Sequence, residues 1–375
     1  MPNKEQIGYR PTWAEIDLGN LAHNFRLVRA CLSDKIKVLV TVKADAYGHG
    51  LVPVSKKLVG LGVDFLGVAS IDEGIKLRAA GISVPILILG VVLGDDIAPV
   101  IKFGLTPTVY DEKSALAFSR LAEKAGKRLN VHVKVDTGMG RIGVRHQDAF
   151  KLLKKISSLP GIQLEGLFTH FPLADENRRF TAGQIKLFNK LVSDLKKSGM
   201  IIPLVHAANS VGLADYKDSH FTMVRPGLVI YGLYPKANLK IKLRPVLTLK
   251  SRVVFVKNVP KGFGVSYAHA YVTKNPACIV TLPIGYGDGY PRNLSNLGFV
   301  LIGGRRFKIS GRICMDQVMV DVGSYKASVG EEVVLIGKQN KAKVTAEELA
   351  KLSGTIPYEI SCGLGSRIPR VYIRP

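Results

Sequence analysis

The 375-residue sequence has only four cysteines, one tryptophan and no long unbroken apolar run. Each scarcity excludes something. Cys31, Cys278, Cys314 and Cys362 are too scattered for a disulfide framework and form no C-x-x-C pair. No histidine stands at metal-ligand spacing from them, so free thiols are expected and a metal site is not. The most apolar stretch, 79–94, is broken by glycine and proline, whereas a spanning helix needs roughly 20 apolar residues. The first residues, MPNKEQIGYRPTW, lack the apolar core of an export signal. A cytoplasmic protein with no membrane association is expected. Acidic residues are scarce too: 29 Asp and Glu stand against 53 Lys and Arg, a formal charge of +24. The deficit is uneven, because 219–287 holds ten basic residues, Arg225, Lys236, Lys240 and Arg252 among them, and no acid. Nucleic acid, an anionic membrane surface or an acidic substrate would suit such a stretch. A solvated basic face is the plainer explanation. No RNA-binding aromatic run or helix-turn-helix pattern accompanies it, so no nucleic-acid partner is expected.

Apolar residues make up 47% of the chain and glycine contributes 38 positions, the composition of a turn-rich globular protein of two or three domains. Strand-like runs occur at 37–43, 65–70, 85–90, 105–109, 129–136, 164–171, 203–208 and 223–230. Helical patterns lie between them, clearest at 72–80, 112–126, 147–157 and 179–198. Asp72 and Asp111 are candidate helix starts, and Gly81, Gly126 and Gly199 candidate stops. Eight strands alternating with helices suit a closed (β/α)8 barrel, with an open doubly wound sheet as the rival. After Leu243 short strands follow one another, interrupted by one helix near 346–352. The expected division is a barrel over 1–243 and a mostly β domain over 244–375.

A barrel places its chemistry at the carboxyl ends of its strands. Those ends carry Lys43, Asp45 and Tyr47; Lys134, Asp136 and Arg141; His170; His206, Asn209 and Ser210; and Arg225 with Gly227. The loops after strands seven and eight, where this fold often holds a phosphate, offer Ser210, Arg225 and close-approach backbone at Gly227. Lys43 is a snorkelling lysine in the bland reading. Beside a phosphate site it suggests a Schiff base to pyridoxal 5′-phosphate, with Tyr47 donating to that phosphate. A rival signal is Gly138, Gly140 and Gly143, which match G-x-G-x-x-G, with Glu165 placed as a ribose-binding acid. Against a dinucleotide site, the glycines follow the fifth strand, and Asp136 would repel a pyrophosphate. In the second domain Tyr267, Tyr286 and Cys314-Met315-Asp316 lie near glycine-rich bends. They gain meaning only if two domains or two subunits bring them to the barrel mouth.

The order TWAEIDLGNLAHN, VKADAYGHG, KVDTGMGRIGV, EGLFTHF, HAANS, VRPGLVIYGLYP, GVSYAHAY, PIGYGDGYPR, GRICMDQVMVDV and SRIPR spans nearly the whole chain and resembles the alanine racemases. The resemblance implies a pyridoxal-phosphate isomerase that interconverts L- and D-alanine, supplies D-alanine for peptidoglycan, and works as a homodimer with shared active sites. It implies that Lys43 carries the cofactor and is the base on one face of the substrate, with Tyr267 from the partner subunit on the other. Tyr47, Asn209, Ser210 and the backbone at Gly227 and Leu228 would hold the phosphate end, and Arg225 the pyridine nitrogen. His170 would link Arg225 to Tyr267. Arg141, Tyr286 and Met315 would contact the substrate, supported by Asp316 and by Lys134, which is carbamylated in some members. Two departures stand out: Asp45 where Asn is commoner, and Ser366 where some members place a second phosphate-binding tyrosine. A decarboxylase, a racemase of serine, a non-catalytic cofactor carrier and a nucleic-acid binder are the rivals. Decarboxylases of this kind normally present an acid to the pyridine nitrogen, and Arg225 argues against one.

Overall fold

The computed structural model describes residues 8–236, 239 and 241–374; Lys240 and the leader reading at 1–7 fall outside them. Eight parallel strands form the first unit: β1 (Lys37–Thr41), β2 (Phe65–Val68), β3 (Ile86–Ile88), β4 (Thr108–Val109), β5 (Leu129–Asp136), β6 (Ile162–Phe168), β7 (Leu204–His206) and β8 (Met223–Val224). Each pairs with its successor in sequence, and β8 returns to β1 through Met223 opposite Lys37. The β3–β4 junction is made by the parallel bridge between Leu87 and Thr106. That cyclic order closes the barrel and disposes of the open sheet. Leu39, Phe65, Leu87, Leu204 and Met223 fill part of its interior, as inward alternation requires.

The connecting helices follow from sequence periodicity. In Glu112–Lys124, Ala115, Phe118, Ser119 and Ala122 recur at helical spacing and are buried against the barrel. Asp111 caps that helix through Ser114 N, and Gly126 leaves it at φ +64°. Ile71–Ala79 starts two residues earlier than Asp72 suggests, because Ser70 takes the cap and accepts from Glu73 N. Gly81 and Gly199 turn out of their helices at positive φ.

After the barrel the chain becomes mostly β. One sheet runs, in spatial order, Arg305–Lys308, Phe299–Ile302, Glu332–Gln339, Leu247–Arg252, Thr12–Asp17 and Arg370–Ile373. Phe255–Val259, Ala277–Leu282 and Val318–Asp321 form a second. The strand Thr12–Asp17 thus comes from before residue 243 and lies in the sheet of the later segment, antiparallel to Leu247–Arg252. Trp13 anchors it there, fully buried. Besides the expected helix at Ala346–Ser353, a second, Pro357–Cys362, packs on the turn after β1. Gly48 permits that approach, since a Cβ there would collide with the Ser361 carbonyl.

Candidate active site

A cavity of about 770 Å³ opens at the carboxyl ends of the strands. Its walls include Lys43, Lys134, Arg141 and Arg225, with no Asp or Glu among the lining residues. Tyr47, His170, Asn209, Ser210, Gly227 and Leu228 also line it, so most of the residues expected at the site meet there.

Lys43 sits two residues past β1, where the chain enters an unusual turn. Ala44, Asp45, Ala46 and Tyr47 take left-handed φ values of 53° to 55°. Such a conformation costs roughly 1–2 kcal/mol per L-residue, so neighbours must hold it. Glu73 accepts from Ala44 N (2.7 Å) and Ala69 N (2.7 Å), and the buried His49 Nδ1 donates to Tyr47 O at 2.9 Å. Asp45 accepts from Leu51 N at 2.8 Å and so caps the next helix; the unusual acid faces solvent outside the cavity. The turn projects Lys43 and Tyr47 together. Burial, then the Arg141 charge, lowers the Lys43 amine, with Glu73 opposing. Tyr47 is wedged between Tyr231 and Tyr358, with ring centroids at 4.8 and 5.8 Å. Burial pushes its hydroxyl upward, so it remains a hydrogen-bond donor.

Ser210 Oγ accepts from Gly227 N at 3.1 Å and Val229 N at 3.5 Å, tying β7 to the turn after β8. A Cβ on Gly227 would stand 2.8 Å from Tyr47 Oη, so glycine keeps a small concavity open between them. Asn209 also lines the cavity, and its side chain accepts from Gly212 N at 2.9 Å as a helix cap. The missed residue is Tyr358, on the helix Pro357–Cys362, whose hydroxyl burial pushes up to about 12. Ser366, which stands where some family members place a second tyrosine, is exposed and away from the cavity, whereas Tyr358 lines it. Only the packing of a C-terminal helix on the left-handed turn reveals it.

Arg225 is buried and makes an unusual set of bonds. It donates to His206 Nδ1 (2.8 Å), Thr169 O (2.6 Å), Ala207 O (3.0 Å) and His170 Nδ1 (3.5 Å). Its guanidinium and the Lys134 amine both lie over the Phe168 ring, at 5.3 and 5.5 Å. Burial lowers Arg225 to about 9, leaving it protonated near neutrality. Burial and then the charges of Arg141, Arg225 and Lys43 lower Lys134 to about 8. His170 is held neutral by burial and the same cations.

The glycine-rich loop has a different job from phosphate binding. Asp136 accepts from Gly138 N (2.8 Å), Met139 N (2.8 Å) and Gly140 N (3.0 Å), occupying the amides a pyrophosphate would need. Gly143 fits against the Lys134 and Asp136 backbone, and the loop delivers Arg141 to the cavity.

Tyr267, Tyr286, Met315 and Asp316 do not line this cavity. They form a separate face of the β unit, where Tyr286 N donates to Cys314 O (3.0 Å) and Gly287 N to Met315 O (2.9 Å). Arg367 holds Asp316 at 2.6 Å. Tyr267 is 67% exposed and Met315 53% exposed. Within one chain, the structure does not unite this group with Lys43.

A cation-lined cavity at the carboxyl mouth of a parallel barrel, with a lysine on a strained turn and a hydroxyl-and-glycine cradle, defines a barrel enzyme for anionic ligands. Comparison with known proteins narrows this. Residues 16–235 match the alanine racemase N-terminal domain and 246–372 the alanine racemase C-terminal domain. The alanine racemase of Halothermothrix orenii is 49% identical over 367 residues, covering 97% of each chain. The structure of the Clostridium difficile alanine racemase superposes with a TM-score of 0.93 at 40% identity, covering 98% of this chain and 96% of that one. The Bacillus anthracis alanine racemase, solved with bound L-Ala-P, gives 0.91 at 36% identity, with 98% and 96% covered. The chain belongs to the alanine racemase family, isomerases that use pyridoxal 5′-phosphate. The residues present fit that cofactor: four cations for its anionic groups, a lysine of lowered basicity for its aldehyde, and the Tyr47–Ser210–Gly227 cradle for its phosphate.

Proposed function

We propose that this protein interconverts L- and D-alanine by proton transfer between two bases, Lys43 on one face of the substrate Cα and Tyr267 of a second subunit on the other. D-alanine so made is a peptidoglycan precursor, and a cytoplasmic location follows from that role. The observation that carries the reading is the division of the site residues into two groups, one lining the barrel cavity and one exposed on the β unit. A homodimer that seats one subunit's Tyr267 face over the other's cavity completes the site, and closed two-fold symmetry makes two such sites.

Pyridoxal phosphate, when bound, withdraws electrons from Cα and makes its proton removable. Lys43 would hold the cofactor and, with its basicity lowered by burial and Arg141, move a proton at Cα. Tyr47, Ser210, Tyr358 and the backbone at Gly227 and Leu228 would hold the phosphate, with Asn209 fixing the helix that carries Ser210. Arg225 would donate to the ring nitrogen. Being protonated already, it leaves that nitrogen without a proton of its own, which favours return of the Cα proton over side reactions. Arg141 and the partner's Met315 would bind the substrate carboxylate, flanked by the partner's Tyr286 and steadied by the partner's Asp316. His170 would link Arg225 to the partner's Tyr267. With its amine near 8, Lys134 keeps a reactive neutral fraction available for carbamylation.

Subunit complementation tests the shared site. Lys43→Ala and Tyr267→Ala proteins should each be inactive as racemases. Randomly mixed, they should regain about a quarter of wild-type activity, because half the dimers are mixed and each has one intact site. No recovery on mixing would contradict the shared site.

A further inference from the structure

Arg225 is a buried cation whose hydrogen-bond partners are all neutral, and its cavity neighbours Lys43, Lys134 and Arg141 are cations too. An isolated buried charge is expensive unless something compensates it. The compensation lies across the barrel. His206 Nδ1 accepts from Arg225 at 2.8 Å, His206 Nε2 faces His132 Nδ1 at 2.8 Å, and His132 Nε2 faces Glu165 Oε2 at 3.1 Å. Arginine can only donate and an ionised carboxylate can only accept. With both imidazoles fully buried and neutral, the direction is fixed: Arg225 to His206 to His132 to Glu165. Each histidine must carry its proton on Nε2.

The arrangement is built into the backbone. The β5–β6 ladder pairs Val131 with Leu164 and His132 with Gly166, so Glu165 is an extra residue in a bulge of a parallel pair. Bulges of this kind re-aim side chains, and here the bulge turns Glu165 toward His132. Gly166 makes room: a Cβ there would lie within 2.5 Å of the His132 ring atoms Cγ and Cε1. The second Glu165 oxygen accepts from Asn130 Nδ2 at 2.8 Å. Glu165 lies at the amino-terminal mouth, beside a cavity also lined by Lys37, Asp64 and Gln163. Stacking of His206 on Phe168 (4.8 Å, 5° between planes) holds the middle of the line.

We propose that Glu165 is the remote counter-ion of Arg225, acting through His132 and His206 as a positioning residue for the guanidinium. Its consequence for the cofactor rests on the reading that Arg225 bonds the ring nitrogen. The chain of polarised bonds anchors the Nη1 side of Arg225, while Thr169 O, Ala207 O and His170 hold Nη2, so the guanidinium is fixed in the cavity wall.

Two measurements on the full-length protein test this. In nitrogen NMR of histidine-labelled, cofactor-free protein, His132 and His206 should both carry the proton on Nε2, and E165Q should shift the His206 Nδ1 signal. A proton on Nδ1 of either ring, or an unmoved His206 signal in a folded E165Q protein, overturns the proposal. E165Q should also weaken pyridoxal 5′-phosphate binding by about tenfold, and weaken far less an analogue with C–H in place of the ring nitrogen. Equal loss for both ligands, or no loss for either, would mean a merely structural role and overturns it as well. Arg225→Lys is the reference: if it weakens both ligands alike, the ring-nitrogen reading fails, while the NMR result still decides the relay.

Discussion

Replacing Gly227 by alanine tests the phosphate cradle with a single methyl group. The added Cβ would sit 2.8 Å from Tyr47 Oη and 3.3 Å from its Cζ. Ordinary contact begins at 3.4 Å, so the hydroxyl must retreat by about 0.6 Å. The ring has little room to yield, since Tyr231 and Tyr358 pack against it. Overpacking of this kind costs ~1–3 kcal/mol of stability. The larger effect falls on the ligand. A displaced Tyr47 forfeits a hydrogen bond to a charged acceptor, worth ~1.5–3 kcal/mol, which corresponds to a rise of about 10- to 150-fold in Kd. The assay is titration of cofactor-free protein with pyridoxal 5′-phosphate, followed by absorbance, with urea unfolding run in parallel. A Kd within about twofold of wild type in a folded Gly227→Ala protein would refute the assignment of the cradle to the phosphate.

Lys43→Ala should abolish the aldehyde–lysine absorbance of the bound cofactor; absorbance that persists would move the covalent link elsewhere. Gly166→Ala should lower stability by about 2–4 kcal/mol, since His132 must shift and strain both its buried hydrogen bonds, and an unchanged urea midpoint would contradict the packing described. Lys134 gives a pH signature. Its amine falls from 10.5 to about 8 in the folded chain, so between those values the unfolded chain binds more protons and stability rises with pH. The urea midpoint of wild type should therefore gain on that of Lys134→Met from pH 8 to 10, and parallel curves would refute the shift. Tyr267→Phe should slow loss of the L-alanine Cα proton while leaving cofactor affinity intact; equal rates would remove Tyr267 as a base.

Much of the barrel was legible because its strands and helices have different periods and several helices end on local stop signals such as Gly126 and Gly199. The strand Thr12–Asp17 was not, because its partners at Leu247–Arg252 and Arg370–Ile373 are remote in sequence. Lys43, Tyr47, Ser210 and Arg225 were readable as strand-end polar residues, and the cavity unites them. The left-handed turn at Ala44–Tyr47 has no glycine to announce it; it is imposed by Glu73, His49 and the packing of a distant helix. That helix is also why Tyr358 escaped notice and Ser366 drew attention instead. Glu165 was visible only as a weak match to a ribose-binding acid. Its actual surroundings depend on a one-residue bulge that no side-chain pattern encodes. The +24 charge is partly accounted for by the four cavity cations.

The reaction itself can be followed directly by incubating the cofactor-loaded protein with L-alanine in D2O and recording Cα deuterium, D-alanine and CO2 together. Two-base racemisation predicts D-alanine that carries Cα deuterium, an approach to equal amounts of the two enantiomers, and no CO2. Release of CO2, or exchange of the Cα proton without any D-alanine, would contradict it.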